Sequence, residues 1–442
     1  VARAAGAVGT GAPASLPDLA ALIADREARL RARPGDARSW AELGTAYVER
    51  GGRTAEPGYY PKAETALRRS LKGRPKANTE ALRGLAVLAN ARHDFRAARK
   101  WGEAAVAASP GRWTAYPPLI DAYRGLGDHK AARKALTRLA GLPPGGRAPR
   151  VRVLTVSGLV HRDRGRVEDS AAALSDAAAL ASTPAERAGC LVRIGELAQE
   201  RGEPAEALRA FDAALRAEPG EHAARAGRGR ALAALGRHSE ALRAYQWAMV
   251  TRPLPRYALE LGELYESLGM SGAARAQYDV VRARVREGRA GGVSEELLLG
   301  LFEADHGGPR GAREAVRRLR AEWARHPSAA VADALGWALH RAGEDEEALV
   351  LARRATDRRR GGAARVALYS FHRGMAERET GALGAARRHL EEALRIDPAF
   401  SPVLAPVASK VLRELDACDL AADCDVPARP APVRTAPAGA GG

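Results

Sequence analysis

Cysteine, methionine, lysine and aromatic residues are all scarce in this chain. Its three cysteines in 442 residues, Cys190, Cys418 and Cys424, cannot supply the four closely paired ligands of a structural zinc site. Cys190 lies in an apolar helical stretch and reads as a core thiol. Cys418 and Cys424 are six apart, a spacing equally compatible with a small disulfide and with two thiols. Aromatics at 5% are too few for a β-rich fold. No stretch approaches the ~20 apolar residues of a membrane span, and Val1–Ser15 lacks the apolar core of a signal peptide.

Catalytic groupings are missing too. The ten histidines contain no i, i+4 pair of the kind that binds metal from one helix face, and serine is sparse. His161-Arg162-Asp163 echoes a kinase catalytic loop, but the accompanying asparagine and DFG are absent. Gly227-Arg228-Gly229 begins like a dinucleotide fingerprint, yet no strand precedes it. The expectation is a protein that is not an enzyme and uses no cofactor and no metal.

Ala, Leu, Arg and Glu dominate, a helical composition, and 46% hydrophobic residues suffice for a packed core. The net charge of +17 suggests nucleic acid, but its make-up argues the other way. Only seven of the cations are lysine; with abundant Ala, Gly and Pro this resembles codon bias in a GC-rich genome, such as that of a high-GC bacterium. Acidic residues are interspersed among the arginines, which predicts mixed faces rather than one basic stripe and argues against a nucleic-acid partner.

The informative pattern is repetition. Blocks Leu191–Pro219, Arg225–Pro253, Ala258–Arg282 and, more loosely, Glu296–Leu319 nearly superimpose. Gly195, Gly229 and Gly262 fall 34 and then 33 residues apart, and Pro219 and Pro253 are 34 apart. Such a period, with the order helix, glycine turn, helix, break, indicates a helix-pair solenoid.

The sharpest copy is Trp40, Leu43, Gly44 and Tyr47, followed by Ala63, Leu67, Ser70 and Pro75. It resembles the tetratricopeptide repeat family, with its W-x₂-L-G-x₂-Y, A-x₃-F and P pattern. A departure is the extra segment Arg53–Tyr60, expected to project from the stack. The register extends over residues 36–398 and predicts an all-α, right-handed solenoid of about ten pairs. A capping helix at 17–33 and another at 401–415 flank it, with a flexible arm at 1–15 and a disordered tail at 416–442.

The resemblance implies a non-catalytic scaffold whose first helices line a concave groove for a partner protein or peptide. Counting one, five and eight residues from the start of each first-helix stripe gives groove positions. In the middle these are Asp121, Arg124, Arg162, Glu196, Gln199, Arg230, Glu263 and Glu266, a polar wall of mixed sign suited to charge-complementary recognition. Toward the end they become Trp337, His340, Phe371 and Met375, with Arg378 beyond. These are interface-anchoring types, expected either to form an apolar pocket for a partner or to be extra core.

The alternative is a regulatory or nucleic-acid-associated protein using its arginines. The start at Val1 rather than Met fits a mature chain, a truncated one or a GTG start. With the cysteine pair it gives an extracytoplasmic expectation, the cytoplasm being the alternative; the oligomeric state is open.

Overall fold

The computed structural model describes residues 1–143, 145–357 and 365–420, and all regular structure among them is helical. Pro144, the run Arg358–Gly361, Cys424 and the rest of the tail lie outside the described residues, as does the Cys418 side chain.

Helices α1 (Ala2–Thr10) and α2 (Leu16–Ala32) lead into ten pairs. The first five are α3 (Ala37–Thr54) with α4 (Tyr59–Gly73), α5 (Thr79–Ala91) with α6 (Phe95–Ala108), α7 (Tyr116–Gly125) with α8 (His129–Ala140), α9 (Arg147–Asp163) with α10 (Val167–Leu180), and α11 (Pro184–Glu200) with α12 (Pro204–Ala217). The next three are α13 (His222–Ala234) with α14 (His238–Thr251), α15 (Pro255–Ser267) with α16 (Ser271–Ala290), and α17 (Glu296–His306) with α18 (Gly308–Arg325). Last come α19 (Ala329–Ala342) with α20 (Asp345–Ala355), α21 (Ala367–Glu379) with α22 (Leu383–Ile396), and a final α23 (Ala405–Leu420).

Local chemistry sets each boundary. Asp36, Asn78, Asp94 and Asp128 cap α3, α5, α6 and α8 through side-chain oxygens that accept from backbone N–H groups. The turn within a pair needs a left-handed residue, which Gly202 and Gly236 supply at φ 70° and 75°. Within a pair, the motif glycine of the first helix receives the large residue of the second. A Cβ at Gly195 would lie 2.7 Å from the Phe211 ring, and one at Gly229 would lie 2.8 Å from the Tyr245 ring. Leu67, Phe211 and Leu319, the second-helix residues that meet such glycines, are accordingly fully buried. Cys190 is buried as well, its thiol pushed up by that burial.

The opening segment is not an arm. Helix α1 folds back with Ala4 and Val8 buried in one cluster with Leu22, Leu43 and Val48. Arg83 of α5 donates to the carbonyls of Gly9 (2.7 Å) and Val8 (3.0 Å) in the last turn of α1, where helix carbonyls run out of regular intrahelical partners. Burial lowers that guanidinium to about 10.

The solenoid coils until one turn meets the next. Arg92 Nε donates to Gly291 O at 3.0 Å, 199 residues away, and Ser294 N donates to Arg92 O at 2.9 Å. His93 Nδ1 donates to Ser294 O at 2.8 Å, and Arg96 donates to Ala324 O at 3.1 Å. Phe95 meets His326 edge-on at 5.8 Å. The pattern continues where Gly127 lies against Ser328 and Gly202 against the Ile396 carbonyl. Thus the turn within the second, third and fifth pairs abuts the chain leaving a pair five or six units later. The Arg53–Tyr60 segment belongs to this seam: Tyr60 is buried, and Pro57 packs so closely on Gly291 that a Cβ there would sit 2.5 Å away. Rather than projecting freely, it bridges the turns.

Candidate functional site: the lumen

Coiling places the first helices inside and the second helices outside. The interior holds a half-open cavity of about 1400 Å³, lined mainly by residues of α7, α9, α11, α13, α15, α17, α19 and α21 and by residues 397–402. Small-molecule sites run to ~300–1,000 Å³, so this volume suits a longer occupant.

Asp121, Arg124, Arg162, Glu196, Gln199, Arg230 and Glu263 all line this space, from five successive first helices. They form a ladder between repeats. Arg124 reaches Asp163 at 2.6 Å and Asp121 at 3.3 Å. Arg162 lies 3.6 Å from both Asp163 and Glu200. Arg230 donates to both oxygens of Glu260, at 2.9 and 3.0 Å, and Arg256 reaches the same carboxylate at 2.8 Å. Burial pushes the Glu260 carboxyl up, but these two guanidinium groups outweigh it and hold the acid below its ordinary value. Glu263 has only His306, at 3.4 Å, and there burial wins and the carboxyl is raised. Glu266 falls outside the lining and instead accepts from Tyr278 at 2.5 Å.

Sequence register did not identify Arg193, Glu200, Asp163 or Glu260 as lumen residues, because these flank the counted positions and reach the lumen only through the tilt of neighbouring helices. Arg193 and Glu200 matter most. Their side chains are 39% and 49% accessible, and that accessible surface faces the cavity between the inner helices. Enclosure lowers the Arg193 guanidinium and raises the Glu200 carboxyl. The nearest carboxylate to Arg193 is Glu196, 4.0 Å away. Between them, Gln199 Oε1 is buried without a partner. The lining holds seven arginines and eight carboxylates, so the lumen carries no cationic excess.

The C-terminal quartet requires a correction. Trp337 and Phe371 are 2% and 0% exposed, and Met375 and His340 are buried too; none of the four lines the lumen. Trp337 donates to Asp305 at 2.8 Å and is stacked by His340 at 5.0 Å and His372 at 4.2 Å. The hydrophobic effect draws α17, α19, α21 and α23 around these rings as one core cluster. His340 also contacts Asp345 at 2.5 Å. Arg378 lies between α21 and α23, paired with Glu414 at 3.1 Å and Glu379 at 3.6 Å.

This is the architecture of a helix-pair repeat protein whose inner helices enclose a polar space. The sequence model described as "Tetratricopeptide repeat" matches residues 58–112, 118–185 and 192–248, so these segments are tetratricopeptide repeats. No curated protein matches it. Among solved structures, the human IFIT1 dimer with PPP-AAAA is similar at 17% identity over 72% of each chain, with a TM-score of 0.48. A tetratricopeptide repeat protein from Parabacteroides merdae aligns at 16% identity over 60% of this chain and 97% of its own, TM-score 0.34. MamA aligns at 21% identity over 39% of this chain and 97% of its own, TM-score 0.31. No described helix is long and apolar enough to cross a membrane.

Proposed function

We propose that the protein is a non-catalytic scaffold that holds an extended polypeptide segment of mixed charge inside its lumen. The observation that carries this reading is the triad on α11: Arg193 and Glu200, each destabilised by enclosure, and the unpartnered carbonyl of Gln199. A polypeptide supplies closer partners than these groups have, a carboxylate for Arg193 (Glu196 stands 4.0 Å away), a cation for Glu200 (Arg162 stands 3.6 Å away) and a backbone N–H for Gln199, and binding it offsets a desolvation cost the empty site already bears. The equal balance of arginines and carboxylates favours such a zwitterionic occupant over a polyanion.

The test is a peptide array of mixed-charge sequences probed with the full chain and with a variant carrying Arg193→Ala and Glu200→Ala. Peptides that bind the natural chain should bind the variant at least about tenfold more weakly, a loss of ~1.4 kcal/mol. Equal binding by the two proteins would place the site elsewhere.

A further inference from the structure

The cations missing from the lumen have to be somewhere, and the coil sorts them. Outer helices α4, α6 and α8 carry eleven Lys and Arg against two acids, Glu64 and Glu103. Helices α16 and α18 carry eleven Arg against four acids. The remaining outer helices, α10, α12, α14, α20 and α22, carry eight Arg against eleven acids. In sequence the two basic groups are separated by more than a hundred residues. The seam joins them: the start of α4 meets the end of α16 through Pro57 and Gly291, and the start of α6 meets the end of α18 through Arg96 and Ala324. The expectation of evenly mixed faces therefore fails outside the lumen. One flank, two tiers high, holds nearly all the excess charge.

We infer that this flank binds the phosphate backbone of double-stranded nucleic acid, without reading bases. Its shape is a strip: two outer helices end to end, at 1.5 Å per residue, span about 50 Å, the length of about fifteen base pairs. Lys130, Arg133, Lys134 and Arg138 form its densest row, all exposed on α8, a helix with no acidic residue. None of the four makes an ion pair among the described residues, and the same is true of Arg310 and Arg313 on the second tier, so both sets are free to meet phosphate.

Two further features choose the ligand. The flank's aromatic residues Tyr59, Trp101 and Trp323 are half-buried and lie under the cations of Lys62, Lys100 and Arg354, so they offer a poor platform on which single-stranded bases would stack. Of the exposed large apolar side chains, none lies on α4, α6, α8, α16 or α18, so no anchor is available for insertion into a lipid surface.

Fluorescence anisotropy of the full chain with a labelled duplex of about 20 base pairs tests this. If at least four phosphates are neutralised, the affinity should fall about a hundredfold between about 50 and 200 mM salt. Replacing Lys130, Arg133, Lys134 and Arg138 together by Ala should abolish binding at the higher salt, while Arg243→Ala on α14 should change nothing. Arg310→Glu with Arg313→Glu, on the other tier, should weaken binding at least about tenfold and guards against a fold defect in the first variant. Absence of duplex binding at low salt, indifference to both multiple variants, or binding of phosphatidylserine vesicles in preference to the duplex would each overturn the inference.

Discussion

On α11, Glu196 and Gln199 face an open lumen; on α19, the residues at the corresponding places, Trp337 and His340, are sealed inside a core. Both helices are first members of a pair and both obey the same spacing. The difference lies in what the side chains do to their neighbours. Charged groups such as Arg124, Arg162 and Arg230 pair with carboxylates on neighbouring inner helices and line the cavity. Large rings in the ninth and tenth pairs lose more free energy exposed than buried, at ~25 cal/mol per Å² of apolar surface. Helices α17, α21 and α23 therefore close over them.

The contrast would break most visibly at Trp337. Trp337→Ala should cost about 3–5 kcal/mol, the price of a large buried ring and the cavity it leaves, measured by urea unfolding; a cost below ~1 kcal/mol would mean that the ring is not structural. Next in size is Gly195→Val, which forces a branched side chain against Phe211 and should destabilise by ~1–3 kcal/mol. Hydrogen exchange should quicken in α11, α12 and α13 ahead of distant pairs, since each unit leans only on its neighbours; uniform or unchanged protection would contradict the register.

A smaller effect is expected at the first pair. Asp36 is held at about 2 by hydrogen bonds from Ser39 and, beyond the opposing effect of burial, by Arg29. Its folded value lies below the unfolded ~3.9, so its contribution is complete above pH ~4 and disappears as the pH falls toward 2. Asp36→Ala should cost ~1 kcal/mol at neutral pH, and thermal melts should show the gap to the natural chain narrowing through that acid window. Smallest of all, Glu196→Ala should change stability by no more than ~0.5 kcal/mol, the opposite of Trp337 at the equivalent place. A large loss of stability there would erase the distinction between the two regions.

Much of this was readable in the chain because a repeat is a local object. Trp40, Gly44 and Leu67, or Gly195 and Phe211, carry the close approach of two helices within about thirty residues, and the same spacing put Asp121 to Glu263 on one inner wall. What escaped depends on distant contacts. The burial of Phe371 requires α23, and the placement of α1 requires Arg83 to meet carbonyls 74 and 75 residues away. The basic flank escaped for the same reason, since α6 and α18 become neighbours only after a full turn of the coil.

That turn also changes what release means. If the proposed function holds, then with Arg92, His93 and Arg96 bonded across the seam, a strand running through the interior would be held like a thread in a bead rather than a hand in a glove. If both its ends carry folded domains, it can leave only when the ring parts. The lifetime of such a complex is then set by hydrogen bonds that never touch the captive chain, and loosening His93 or Arg96 would shorten it while leaving the interior surface unaltered.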